Sequence, residues 1–161
     1  MLTLKSTSNQ LREIVSQYYD KLKLIADPGF STKPSPEKWS KKEIVGHLID
    51  SAQNNLRRFI TGQYETTPPH IVYAQDFWVT VNHYHDADKD DVVLLWKLIN
   101  DRICVVIENM PAENYQRTCD TGRDQPRLRA LDWLARDYVE HLQHHLNQII
   151  PDSFPDHRYA S

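Results

Sequence analysis

Three of the chain's eight histidines fall within five positions, in the stretch EHLQHHLNQII from Glu140 to Ile150. Imidazole offers a nitrogen lone pair near neutral pH, so clustered histidines are first examined as metal ligands. Spacing decides more than density. Helical residues four apart project from one face, one turn apart, where two imidazoles can reach a single ion. His141 and His145 have that spacing. On a wheel of about 100° per residue, His145 falls within the stripe of Leu134, Tyr138, Leu142 and Ile149. His141 lies at the edge of that stripe, and His144 points to the solvent flank.

Two ligands do not complete a site of the catalytic zinc type, which takes three from the protein and keeps one position open. An HxxxH pair also arises by chance about 0.4 times in a chain this rich in histidine, so spacing alone leaves a packing role open. His47 is the other histidine inside a long helical segment. It shares a face with Glu43, Asp50, Ser51, Asn54 and Arg58, away from the stripe of Ile44, Leu48 and Ala52. Such a strip is either solvated or lines a wet cleft, where Asp50, Ser51 and Asn54 would touch substrate or steady the ligands. His83 and His85, the HxH pair of VNHYHDAD, could hold an ion on an extended segment. His70 and His157 read as surface residues.

Several chemistries are excluded. No glutamate is followed by histidine three residues on, as a ferritin-like di-iron bundle requires. HExxH, a glycine-rich phosphate loop and a GxSxG elbow are absent. Cys104 and Cys119 form no CxxC pattern, and Cys104 lies in an apolar helical stripe where it packs. A net charge of −3 and a pI of ≈ 6.2, without a basic stripe, argue against nucleic acid. No apolar run reaches the ~18 residues of a membrane span, and no apolar leader follows a basic start. The expectation is a cytoplasmic protein with no membrane partner.

The elements that must position the histidines are delimited by nine prolines. Four proline-free segments carry apolar residues at i, i+3, i+4, i+7 spacing. They run over about 8–26, 40–61, 88–110 and 128–150, with a shorter piece near 73–81. Ser40 and Glu43 form a capping-box pattern, and Gly62 reads as a stop signal. Trp133 falls on the face opposite its helix's stripe, where a loop or a second subunit would cover it. No strand pattern of useful length appears. The expected fold is an all-α four-helix bundle forming one domain over 1–161, with a core of about 8–150 and a short tail, 151–161. The connection from Gly62 to Ala87 is far longer than the ~2–8 residues joining antiparallel neighbours, which suits a crossover between helices pointing the same way.

Two stretches resemble a known family. WSKKEIVGHLIDSAQNNLRRFI, Trp39 to Ile60, resembles the second-helix signature of the DinB/YfiT-like superfamily: a Trp before a helix with an HL-x-D core, then Asn and Arg-Phe. DYVEHLQHHLNQI, Asp137 to Ile149, resembles its last-helix pattern, which ends in H-x-x-x-H and a Gln-Ile pair. The likeness runs from about Trp39 to Ile150. It implies up-down-down-up connectivity and a divalent ion, zinc or nickel, held by His47, His141 and His145. One departure is Ala52, where some relatives carry another histidine.

The resemblance also implies an activity: metal-dependent transfer of a low-molecular-weight thiol to electrophilic small molecules, or thiol-dependent isomerisation. Three neutral imidazoles leave an ion's charge largely intact, so a thiol or water entering the open position loses its proton without any protein nucleophile. The alternative is a non-catalytic bundle that binds metal or a small molecule in stress response. A third reading has the bundle act through a homodimer surface built from aromatics between Tyr73 and Tyr84.

Overall fold

A computed structural model describes residues 3–157 and 159. Helix α1 spans Leu4–Lys23 and begins earlier than its apolar stripe suggests, because the Thr3 hydroxyl accepts the Ser6 amide as N-cap. Helix α2, Lys41–Tyr64, starts at the expected capping box, with Ser40 and Glu43 bonded reciprocally. It does not stop at Gly62. That glycine stays helical because Leu131 and Cys119 pack where a Cβ would stand, 2.7 and 3.0 Å from it. The helix ends two residues later, where the Arg117 guanidinium donates to the carbonyls of Gly62 and Glu65.

The long connection contains the short helix α3, Gln75–Val81, and a 3₁₀ turn over Tyr84–Asp86. Helix α4, Lys89–Glu108, is capped by the Asp88 carboxylate, which accepts from the Asp90 and Asp91 amides. Helix α5, Leu131–Ile149, starts three residues later than its stripe suggests. Leu128–Ala130 is instead a strand, β2, paired antiparallel with β1, Thr118–Asp120. This pair sets α5 in place: its first amides, on Leu131 and Asp132, donate to the Arg117 and Tyr115 carbonyls. Trp133, 39% exposed, lies under the Arg129 guanidinium at 4.5 Å.

Side-chain pairings give the helix directions. Ser8 bonds the Cys104 carbonyl while Lys89 bonds the Lys23 carbonyl, so α1 and α4 are antiparallel. Lys42 donates to the Ala87 carbonyl, joining the starts of α2 and α4, which run parallel. His47 meets His141 while Gly62 meets Leu131, so α5 is antiparallel to α2. Tyr18, late in α1, stacks at 5.3 Å on Phe154, just past α5, and these helices run the same way. The connectivity is up-down-down-up, and the long connection is its crossover.

The core is built from Leu11, Val15, Leu22, Phe59, Trp96, Ile103, Leu142 and Leu146 among others. One buried polar pair crosses it: Tyr138 donates to Asn100 Oδ1 at 2.6 Å. After α5 the chain folds back, clamped by two bonds between Asn147 and the Phe154 backbone. No helix among the described residues is long and apolar enough to cross a membrane.

Candidate metal centre

The site forms where α2 and α5 face each other. Residues 42–52 of α2 are buried without interruption, because α4 and α5 cover one side while α3 and Tyr84 cover the other. The polar strip of His47, Asp50, Ser51 and Asn54 is therefore not solvated; all four side chains are buried. Gly46 permits this. A Cβ there would lie 2.2 Å from the Tyr84 ring, so only glycine lets that ring close over the helix. Trp39, just before α2, lies against the His47 ring at 4.9 Å.

On α5 the buried stripe is Leu131, Leu134, Ala135, Tyr138, Val139, Leu142, Leu146 and Ile149. Leu146, not His145, takes the core position that the wheel assigns to the histidine. His141 and His145 are both half-buried and turn toward α2. Their Nε2 atoms are 3.1 Å apart, and His141 Nε2 is 3.3 Å from His47 Nε2. One ligand nitrogen from each of the three lies within 4.8 Å of the others. Nitrogens each about 2.05 Å from one tetrahedral ion stand about 3.3 Å apart, which matches these separations.

Electrostatics favour the same reading. Burial, then the His145 ring, pushes the His47 pKa down to about 3. Burial also holds His141 well below its ordinary value, helped by the charges His145 and His47 would carry. His145 is lowered as well, chiefly by burial, with Gln148 opposing. All three rings are neutral at pH 7, the form that ligates. His145 Nδ1 is 2.8 Å from Gln148 Oε1, an acceptor, so its proton sits on Nδ1 and its Nε2 presents a lone pair to the cluster. Three neutral imidazoles meeting within ligand reach of one point, two of them with a buried and unpartnered Nδ1, make a donor set that fits a divalent ion.

Asp50, one turn beyond His47, is fully buried. Its Oδ1 accepts the Tyr84 hydroxyl at 2.6 Å and the Asn82 amide at 3.3 Å, while Oδ2 has no protein partner. Burial raises its pKa to about 6, and the Tyr84 bond opposes that rise. Ser51 and Asn54 contribute less than expected to an open cleft: the Asn54 amide donates to the Asp50 carbonyl, and Asn55 occupies the Ser51 hydroxyl.

The remaining histidines stand apart. His144 is half-buried rather than solvent-facing, with its ring 5.0 Å from His145 and 5.6 Å from Tyr159. It is not part of the cluster. His83 and His85 are exposed on either side of buried Tyr84, and neither joins a ligand cluster among the described residues. His70 is exposed but tied to the Gly122 carbonyl at 2.7 Å. His157 is half-buried in the tail, stacked on Tyr159. Cys104 and Cys119 are buried and unpaired, and burial pushes both thiols up to about 11. Neither is a nucleophile at neutral pH.

Sequence reasoning missed Tyr84 and Tyr159. No spacing rule connects either to the cluster. Tyr84 is 6% exposed and bonded to Asp50, which removes it from the expected aromatic surface, whereas Phe77 is 67% exposed.

A mostly helical bundle with three histidines converging from two antiparallel helices defines the class of protein. Comparison with known proteins gives the family: the DinB superfamily model matches residues 10–149, and the chain belongs to that superfamily. YfiT of Bacillus subtilis (strain 168), a candidate metal-dependent hydrolase, is 22% identical over 139 residues, covering 86% of this chain and 78% of its own. Its solved structure, described as an unusual four-helix bundle, superposes with a TM-score of 0.80 over 91% of this chain and 83% of that one. A mycothiol-dependent maleylpyruvate isomerase is similar in fold, with a TM-score of 0.71 at 16% identity. It covers 98% of this chain but only 65% of the longer isomerase.

Proposed function

We propose that His47, His141 and His145 hold one divalent ion, zinc or nickel, and that the protein transfers a low-molecular-weight thiol to electrophilic small molecules. The convergence of the three Nε2 atoms carries this reading. A divalent ion so placed supplies Lewis acidity that lowers the pKa of a thiol or water in the open position. The protein's own groups do the rest. Burial keeps the imidazoles neutral, Gln148 holds the His145 tautomer, and Trp39 walls one side of His47. Asp50, buried one turn beyond His47 and bonded by Tyr84 and Asn82, fixes that face of α2.

The likeness to a mycothiol-dependent isomerase supports a thiol as the entering group, while YfiT raises water as the competitor. The unpaired buried thiols of Cys104 and Cys119 support a reducing, cytoplasmic setting. Elemental analysis of untagged protein beside a His47→Ala/His141→Ala double variant tests the ion. Metal content equal in the two would refute the site. Turnover of a chloro-dinitroarene with a panel of thiols tests the reaction. Stoichiometric metal without turnover for any thiol would favour the non-catalytic binding bundle.

A further inference from the structure

One turn down α5 from the histidines lies a cavity of ≈ 370 Å³, lined by Arg58, Arg127, Arg129, Trp133, Asp137 and Tyr159 among others. Its charge is unbalanced: three guanidiniums share it with one carboxylate. None of the three makes an ion pair with an acidic group among the described residues. Arg58 is the most telling. It is half-buried, yet its guanidinium bonds only neutral acceptors: the Ile71 carbonyl at 2.6 and 3.2 Å and Asn55 Oδ1 at 3.3 Å. A partly desolvated cation without a direct ion pair is costly, and Asp137 is the one carboxylate set against three guanidiniums here. Arg129 is held over the Trp133 ring at 4.5 Å, and the Arg127 amide is fixed by Asp120 Oδ1 at 2.7 Å. Arg58 and Arg129 are thus held by their side chains, and Arg127 by its backbone.

The cavity lies along α5 from the histidines. Asp137 precedes His141 by one turn, about 6 Å along the helix. Tyr159 stands at the junction, with its ring 5.9 Å from that of His141 and its hydroxyl 3.4 Å from Asp137 Oδ1. No histidine lines the cavity, and Tyr159 stands between it and the cluster.

We propose that the Arg58–Arg127–Arg129 cavity is an anion-binding site, taking a carboxylate or phosphate group of a small molecule. Planar guanidiniums suit both, since each presents paired N–H donors to paired oxygens.

Succinate and inorganic phosphate are titrated separately, by calorimetry and by tryptophan fluorescence, into protein as purified and after chelator treatment. Binding of at least one anion is expected in both forms, and the better of the two identifies the charged group. Neutral succinamide should not bind. Arg127→Gln/Arg129→Gln, at exposed and half-exposed positions, should keep its thermal transition and weaken the anion about tenfold or more. Arg58→Gln should do the same, and Arg58→Lys should recover part of the loss. Absence of binding by both anions, or wild-type affinity in the folded double variant, would overturn the proposal. So would an anion that binds only metal-loaded protein and ignores the arginine substitutions, since it would sit on the ion. Anion binding by a protein that never acquires metal would uphold the cavity and refute the metal reading instead.

Discussion

His145 and Gln148, one turn apart on α5, share a 2.8 Å hydrogen bond that decides which imidazole nitrogen faces the cluster. Gln148 Oε1 can only accept, so the proton lies on Nδ1 and Nε2 is free to ligate. Removing the amide frees the ring to flip or tautomerise. Gln148→Ala is expected to weaken zinc binding by about tenfold or more, in competition with a chromogenic chelator. His144→Ala, which alters a ring outside the cluster, should leave the affinity unchanged.

Metal that binds only the folded state raises the unfolding transition. At a hundred times the dissociation constant the gain is about 2.7 kcal/mol. A thermal melt of the native protein should therefore shift upward with added zinc. His47→Ala, His141→Ala and His145→Ala should each lose most of that shift, since each supplies one of three nitrogens. A full shift in any one of them would remove that residue from the ligand set.

Asp50 predicts a pH dependence. Its folded pKa, raised by burial from 3.8 to about 6, means that the fold favours the protonated acid. That contribution is complete below about pH 3.8 and is lost as pH rises through about 6. Asp50→Asn cannot lose it. In metal-free protein, the stability difference between the two should move in favour of the variant by on the order of 3 kcal/mol between pH 4 and pH 8. Urea midpoints across that range measure it, and parallel profiles would contradict the buried-acid assignment.

Gly46→Ala tests the cover over α2. A methyl group there would overlap the Tyr84 ring and must displace it, since α4 and α5 packed on the far side stop the helix from backing away. The expected cost is about 1–3 kcal/mol of stability. The Tyr84–Asp50 bond should be lost with it. Tyr84→Phe, which removes that bond without overlap, should cost less, and the comparison separates packing from hydrogen bonding.

The four long helices were legible because each buries a stripe against neighbours, and a stripe of period 3.6 is a local property. The HxxxH pair on α5 was legible for the same reason. Register was less so: the wheel gives His145 a core position that Leu146 occupies, because the centre of a stripe depends on where the neighbouring helices lie. The β1–β2 pair escaped notice since three-residue strands carry no measurable alternation, and Leu128–Ala130 was absorbed into the helix that follows. Gly62 read as a stop because glycine commonly ends helices, yet here Leu131 and Cys119 require its missing side chain.

By itself, then, the sequence determined the helices, the capping box at Ser40 and the shared face of His141 and His145. Family resemblance, not periodicity, pointed to His47. Tertiary structure alone decided that the polar strip of α2 turns inward, that His47 Nε2 comes within 3.3 Å of His141 Nε2, and that Tyr84 closes over Asp50. The reason is range. Helical periodicity is set by bonds spanning four residues, whereas contacts across ninety-four residues of chain depend on how α2 and α5 pack.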